Sequence, residues 1–255
     1  MNMLKALGKL ARALVHILSG LLTILLVFPR LTQAQREIRV QVWSLQMLEC
    51  IAIKLVVHGT PVLIGPVLLV ANHVSWLDIT SLHAARFCRF VSKADIKRWP
   101  VIGALAAGIG TLFIERESRR DAMRVVHHMA ESLRAGDVLA VFPEGTTSNG
   151  VSLLPFHANL FEAAIAANAL VQPVALQFVD RASGLASPAP IYVGDDSLAG
   201  SVWRTLCTPG IAVHITFGQA QWTDGRSRRE LALVFRQEIE DLRQEQAGKR
   251  QAHSS

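Results

Sequence analysis

Four polar residues close a hydrophobic run in "LLVANHVSWLDITSL", Leu68 to Leu82: Asn72, His73, Ser75 and Asp78. An imidazole and a carboxylate five positions apart could form a proton-transferring pair. A carboxylate that accepts one ring N–H fixes the tautomer and leaves the other nitrogen as a general base. On one continuous helix that spacing would set the two side chains about 140° apart. They meet only if a strand end bends into a helix start between them. Val67 to Ala71 reads as a buried strand, Ser75 as a helix N-cap and Asp78 as a favourable charge in the first turn. The carboxyl end of such a strand is where open α/β sheets place their ligands. Taken singly, each residue has a structural use: Asn72 in a turn, Ser75 as a cap, Asp78 on the helix dipole.

The surrounding elements must supply that bend. After His58-Gly59, short β-rich runs alternate with helical stretches. Expected strands are Leu55–Val57, Val67–Ala71, Arg89–Ser92, Thr111–Ile114, Val138–Phe142, Val171–Leu176 and Ile211–Thr216. Expected helices are Trp76–Arg86, Arg119–Ala135, His157–Asn168 and Arg228–Gln244. The alternation argues for an α/β fold with a mixed, largely parallel sheet flanked by helices. Residues 55–245 are expected to form one domain, residues 1–54 a hydrophobic and amphipathic helical membrane-docking segment, and residues 246–255 a frayed tail.

Three further stretches could carry chemistry. "GTLFIERES" (Gly110–Ser118) reads by itself as a strand with a charged end, Glu115-Arg116-Glu117. "VFPEGTTS" (Val141–Ser148) runs a strand into Pro143, which cannot continue a ladder, and Gly145 permits a tight loop whose N–H groups could face an anion. "VQPVAL" (Val171–Leu176) places Pro173 in a hydrophobic strand. Together with "NHVSWLD", these blocks follow one another as in the glycerolipid acyltransferases, and the chain resembles the 1-acylglycerol-3-phosphate acyltransferases over about Leu55 to Thr216.

That resemblance implies a reaction. His73 would deprotonate an acceptor hydroxyl, which attacks an acyl thioester directly, while Asp78 orients the imidazole; no acyl-enzyme forms. Lys93, in "VSKADIKRWPVIG", and Arg116 would bind the acceptor's phosphate. Glu144, Gly145, Thr146 and Thr147 would shape the substrate site. The family needs no metal or cofactor; acyl-CoA or an acyl carrier protein is a co-substrate. One departure stands out: Thr147 occupies a position where phosphatidic-acid-forming members commonly carry Arg. Relatives that acylate lyso-ornithine lipids keep the same catalytic pair, so another lysolipid is the alternative acceptor.

Composition agrees with a lipid partner. Half of the 255 residues are hydrophobic (51%) and only 18% are charged, against about a quarter in soluble domains. A net charge of +6 suits anionic head groups. A single Tyr and no Lys/Arg run with interleaved aromatics argue against nucleic acid. Cys50, Cys88 and Cys207 are too scattered for a disulfide framework or a zinc site. Ala13 to Phe28 is almost wholly apolar but, at sixteen residues, short of the roughly 20 that cross a bilayer. A spanning helix, a helix sunk in one leaflet and a signal peptide all remain open, with basic residues on both flanks favouring one that dips in and returns. These features suit the cytoplasmic face of a bacterial inner membrane. Lys97 and Arg98, with Arg86 and Arg89, would surround Lys93 as a basic funnel. The Ala/Gly-rich stretch Val101–Phe113 reads either as close helix packing or as a slot for an acyl chain. A serine esterase is disfavoured because no Gly-x-Ser-x-Gly is present. A non-catalytic lipid carrier is disfavoured by the intact His73 and Asp78.

Overall fold

The computed structural model describes residues 3–114 and 119–252. Its centre is a seven-stranded sheet: β1 (Lys54–His58), β2 (Val67–Ala71), β3 (Arg89–Lys93), β4 (Leu112–Ile114), β5 (Val138–Val141), β6 (Leu170–Asp180) and β7 (Ile211–Phe217), in the spatial order β1-β7-β6-β2-β5-β3-β4. All neighbours are parallel except β6 and β7. All five residues of β2 are buried. A parallel strand covered on both faces needs such a continuous apolar run.

Alternate residues feed two cores. Leu69, Ala71, Ala140, Phe90 and Val174 belong to one, Leu68, Val70, Leu139, Val171 and Ala175 to the other. The first core includes residues of α1 (Met3–Leu22), α2 (Gln33–Cys50), α3 (Leu77–Ala85) and α7 (Leu198–Cys207); the second includes residues of α5 (Arg119–Arg134), α6 (Glu162–Ala167) and α8 (Arg228–Ala252). A short helix, α4 (Ile102–Gly108), leads into β4.

Proline in a central strand needs an explanation. Pro173 pairs with Val70 of β2, but the ladder with β7 begins only at Val174. At Pro173 the chain that continues β7 has left the ladder, and Gly218 N–H donates to the Pro173 carbonyl, at 2.9 Å. The missing amide therefore falls at the end of a ladder, where it orphans no acceptor. Strand β6 also continues four residues beyond the expected Leu176, because β7 pairs with it as far as Asp180.

Two elements differ from expectation. Helix α7 had no clear sequence signal; Ser197 caps it by accepting from Gly200 N–H at 3.0 Å, and Lys9 Nζ donates to the Leu206 carbonyl at its far end, at 3.2 Å. The tail expected to fray from residue 246 is helical to Ala252: Gln246 is buried, and Arg250 donates to Gln177 of β6 at 3.1 Å.

The N-terminal helix has an inverted surface. Ala6, Ala13 and Gly20, seven residues apart, are buried, while Leu4, Leu14, Val15, Leu18, Leu22, Leu25 and Leu26 are exposed. Trp43 of α2 lies against Gly20 and stacks on His16 at 4.8 Å, each side chain bonding the other's carbonyl. With its π and 3-10 continuation the helix runs Met3–Arg30, 28 residues, long and apolar enough to cross a membrane by length and composition.

Under the site, His83 of α3 is buried with Nε2 donating to the Cys88 carbonyl at 2.9 Å; burial holds its pKa down at about 4. Half-buried His214 is likewise lowered to about 4, by burial and then by Arg250, His58 and Lys54. The unfolded chain takes up these protons near pH 6.5, the folded chain only near pH 4, so stability falls as pH drops through that window. For His83 the difference corresponds to about 3 kcal/mol. Urea unfolding midpoints should therefore fall from pH 6.5 to 4, and His83→Gln, which keeps a donor for Cys88, should flatten the slope to the part due to His214.

Candidate active site

At Ala71 the chain leaves β2 and turns into α3 within six residues. Asn72 extends the sheet by one rung: its amide donates to the Leu176 carbonyl at 3.0 Å and accepts from Leu176 N–H at 2.7 Å. His73 then emerges at the carboxyl end. Its Nδ1 lies 2.8 Å from Asp78 Oδ2, and the same oxygen accepts from the amides of Val74 (2.7 Å) and Ser75 (2.9 Å). Asp78 is fully buried, so it both closes the bend and faces the imidazole. With Nδ1–H donating to the carboxylate, Nε2 carries the lone pair, and it has no partner among the described residues. The ring stacks on Phe142 at 4.1 Å and 9°, and Phe142 stacks on Phe90 at 5.4 Å. With the side chain 19% exposed, the imidazole is held rigidly yet reachable.

The loop after β5 supports the same turn. Phe142, Pro143, Glu144 and Gly145 form a tight turn closed by Gly145 N–H to the Phe142 carbonyl at 3.1 Å, with Gly145 at φ +72°. This conformation favours glycine. Glu144 is buried: Oε1 accepts from His73 N–H at 2.8 Å and Oε2 from Leu154 N–H at 2.9 Å, while burial raises its pKa above the usual carboxylate value. Ser148 donates to the His73 carbonyl from N–H (2.8 Å) and from Oγ (3.2 Å). Glu144 thus holds the backbone of His73. Thr146 is exposed and Thr147 half-buried, and among the described residues neither side chain has a hydrogen-bond partner.

Ser75 caps the start of α3, as expected, and its hydroxyl is committed to a second partner as well. It is fully buried, donates to the Pro190 carbonyl at 2.6 Å and accepts from Leu77 N–H at 3.2 Å. Tyr192 N–H reaches the Val74 carbonyl at 3.1 Å, so residues 190–192 clamp the turn that carries His73 from outside. These supports, like Phe142 and Ser148, had no signal of their own in the sequence.

Lys93 is exposed at the carboxyl end of β3, two strands from β2 and so about 10 Å across the sheet. Lys97 and Arg98 are exposed beyond it. Arg86 and Arg89 do not join them. Arg86 donates to the carbonyls of Val62 and Leu63, and Arg89 binds Gly110, Ser132 and Asp137 at the amino end of the strands. Arg116 lies outside the described residues. The small residues of α4 serve close packing: a Cβ on Gly103 would lie 2.3 Å from the Lys97 carbonyl and one on Gly108 2.5 Å from Ile24. A cavity of about 530 Å³ does exist, but between Phe28, Arg36, Arg89 and Asp137, away from His73. No group of three or more His, Cys, Asp or Glu able to hold a metal occurs among the described residues.

Removing Glu144 would leave two amides without acceptors, at about 1–3 kcal/mol each. Glu144→Ala should lower the urea unfolding midpoint and thioester consumption together, and Glu144→Gln should recover part of both.

Similarity to known proteins agrees with this arrangement. The Acyltransferase family model matches residues 54–177, from β1 into β6. A lyso-ornithine lipid O-acyltransferase of Pseudomonas aeruginosa is 41% identical over 174 residues, covering 68% of this chain and 66% of that protein. A 1-acyl-sn-glycerol-3-phosphate acyltransferase of Neisseria meningitidis is 41% identical over 151 residues, covering 59% and 58%. The chain thus spans about three-fifths to two-thirds of these relatives' lengths. The crystal structure of the 1-acyl-sn-glycerophosphate acyltransferase of Thermotoga maritima shares the fold, with a TM-score of 0.67, 21% identity and coverage of 95% and 96%. With the His73–Asp78 pair at the end of β2 and the matched blocks in order around it, the chain belongs to the acyltransferase family whose members include these lysolipid acyltransferases.

Proposed function

We propose that the protein transfers an acyl group from a thioester, acyl-CoA or acyl carrier protein, to the free hydroxyl of a lysolipid at a membrane surface. The observation that carries this reading is the imidazole of His73, pinned at Nδ1 by Asp78 with Nε2 open. In the reaction, Nε2 takes the proton of the acceptor hydroxyl and the oxygen attacks the thioester carbonyl. The C–S bond then breaks, and the thiolate leaves with the proton from His73. Charge that develops on Nδ1–H is met by the Asp78 carboxylate. The amides of Thr146 and Thr147, which have no acceptor among the described residues, are our candidates for meeting the developing oxyanion. With the Ser75 hydroxyl committed to Pro190, attack by the acceptor itself is favoured over an acyl-enzyme.

The first acceptor we infer is 1-acylglycerol-3-phosphate, giving phosphatidic acid, with Lys93 and Arg116 as the phosphate anchors. A second reading is lyso-ornithine lipid. It is favoured by neutral Thr147 and by the name of the Pseudomonas aeruginosa relative. The N-terminal helix favours a monotopic attachment. From Ala6 to Ile24 its inner side rests on the body, while its leucines stay bare outside, as expected of a helix lying in one leaflet. A cytoplasmic location is part of this proposal.

His73→Ala should lower acyl transfer by roughly 10²–10⁴-fold, the usual worth of a general base, with vesicle binding intact. Full retained turnover would sink the mechanism. Offered one labelled acyl-CoA, the protein should acylate lysophosphatidic acid in preference to lyso-ornithine lipid and other lysophospholipids; the reverse preference selects the second reading. If phosphate is bound beside residue 147, Thr147→Arg should leave unchanged or lower the KM for lysophosphatidic acid, and a clear rise would count against that contact.

A further inference from the structure

Between β3 and α4 the chain runs as Lys97-Arg98-Trp99-Pro100-Val101-Ile102. This segment is apolar where water should be. Trp99, Val101 and Ile102 are 42%, 42% and 43% exposed, and Lys97 and Arg98 beside them are exposed too. The backbone makes the apolar tip. Val101 sits at φ +67°, ψ −61°, with Ile102 N–H donating to the Pro100 carbonyl at 2.7 Å, a three-residue turn that a β-branched residue rarely adopts.

An exposed Trp with neighbouring aliphatics and two cations has the composition of a head-group anchor. The indole sits at the boundary between head groups and chains, and the cations meet lipid phosphates. The segment is also continuous with another bare apolar surface. It leads directly into α4, which packs at Gly108 on Ile24 of the N-terminal helix, whose outer leucines are unpartnered. On its other side the segment leads back to Lys93 at the carboxyl end of β3, at the same end of the sheet as His73.

We propose that Trp99–Ile102 is a second membrane contact, which inserts at head-group depth in an anionic bilayer and holds the mouth of the site against the leaflet, so that a lysolipid reaches His73 without crossing water. The proposal rests on the lysolipid acyltransferase reading. The N-terminal helix keeps the protein on the membrane, and the Trp99 segment sets its orientation there.

The test uses the full chain bound to phosphatidylcholine vesicles, with and without phosphatidylglycerol, whose acyl chains are brominated. Bromine should quench part of the tryptophan fluorescence, and Trp99→Phe should remove that part. Trp99→Asp/Ile102→Asp should lower acylation of vesicle-embedded lysolipid roughly tenfold, since carboxylates resist the interface, with turnover of a monodisperse short-chain acceptor unchanged. Lys97→Gln/Arg98→Gln should abolish the advantage of phosphatidylglycerol vesicles. Quenching that is the same with and without Trp99 would overturn the proposal, as would equal losses on both forms of acceptor. Should the wild type acylate neither form of acceptor, the reaction reading fails, while the quenching comparison still decides whether the segment inserts.

Discussion

One carboxylate oxygen organises the site. Asp78 Oδ2 gathers the His73 ring nitrogen and the amides of Val74 and Ser75 within 2.9 Å, in a residue with no access to water. A buried oxygen that accepts three N–H groups fixes the backbone bend and the tautomer at once. The bend sets Ser75 against Pro190 and opens the space that Phe142 fills against the imidazole. Glu144 completes the enclosure from β5 by taking the His73 amide. Two buried carboxylates thus do different work in one turn, Asp78 on the side chain and backbone and Glu144 on backbone alone.

The sheet supplies the precision this needs. Strands β2, β5 and β3 run parallel side by side, so their carboxyl ends deliver His73, Phe142 and Lys93 to one edge. The helices on the first face then serve two environments. Helices α2, α3 and α7 cover the sheet, and α1 lies over them with its small residues inward and its leucines outward. Such a helix presents an apolar face whose removal from water would be favourable.

Much of this was legible in the sequence, for physical reasons that also mark where legibility stopped. Strand β2 coincides with the expected Val67–Ala71, because a fully buried strand is one unbroken apolar run with turn-forming residues at both ends. His73 and Asp78 could be paired because their partnership is local. Arg86 and Arg89 look in sequence like neighbours of Lys93, yet their acceptors, Leu63 and Asp137, are 23 and 48 residues away, and no local pattern announces them. Helix α7 contains Gly200 and depends on Lys9, 197 residues from its acceptor. The role of Glu144 as a support for His73 required the loop to close over it, which a turn motif alone does not specify.

The proposed catalytic pair lies within six residues, His73 in the turn after β2 and Asp78 in the first turn of α3, whereas of the proposed head-group contacts Lys93 ends β3 and Thr147 lies in the loop after β5. On the proposed reading, the chemistry and the choice of acceptor would be carried by separate segments of chain. Substitutions in the latter would then retarget acyl transfer among lysolipids while the proton-transfer geometry stays as it is. Such a scaffold could diversify in substrate without passing through an inactive intermediate.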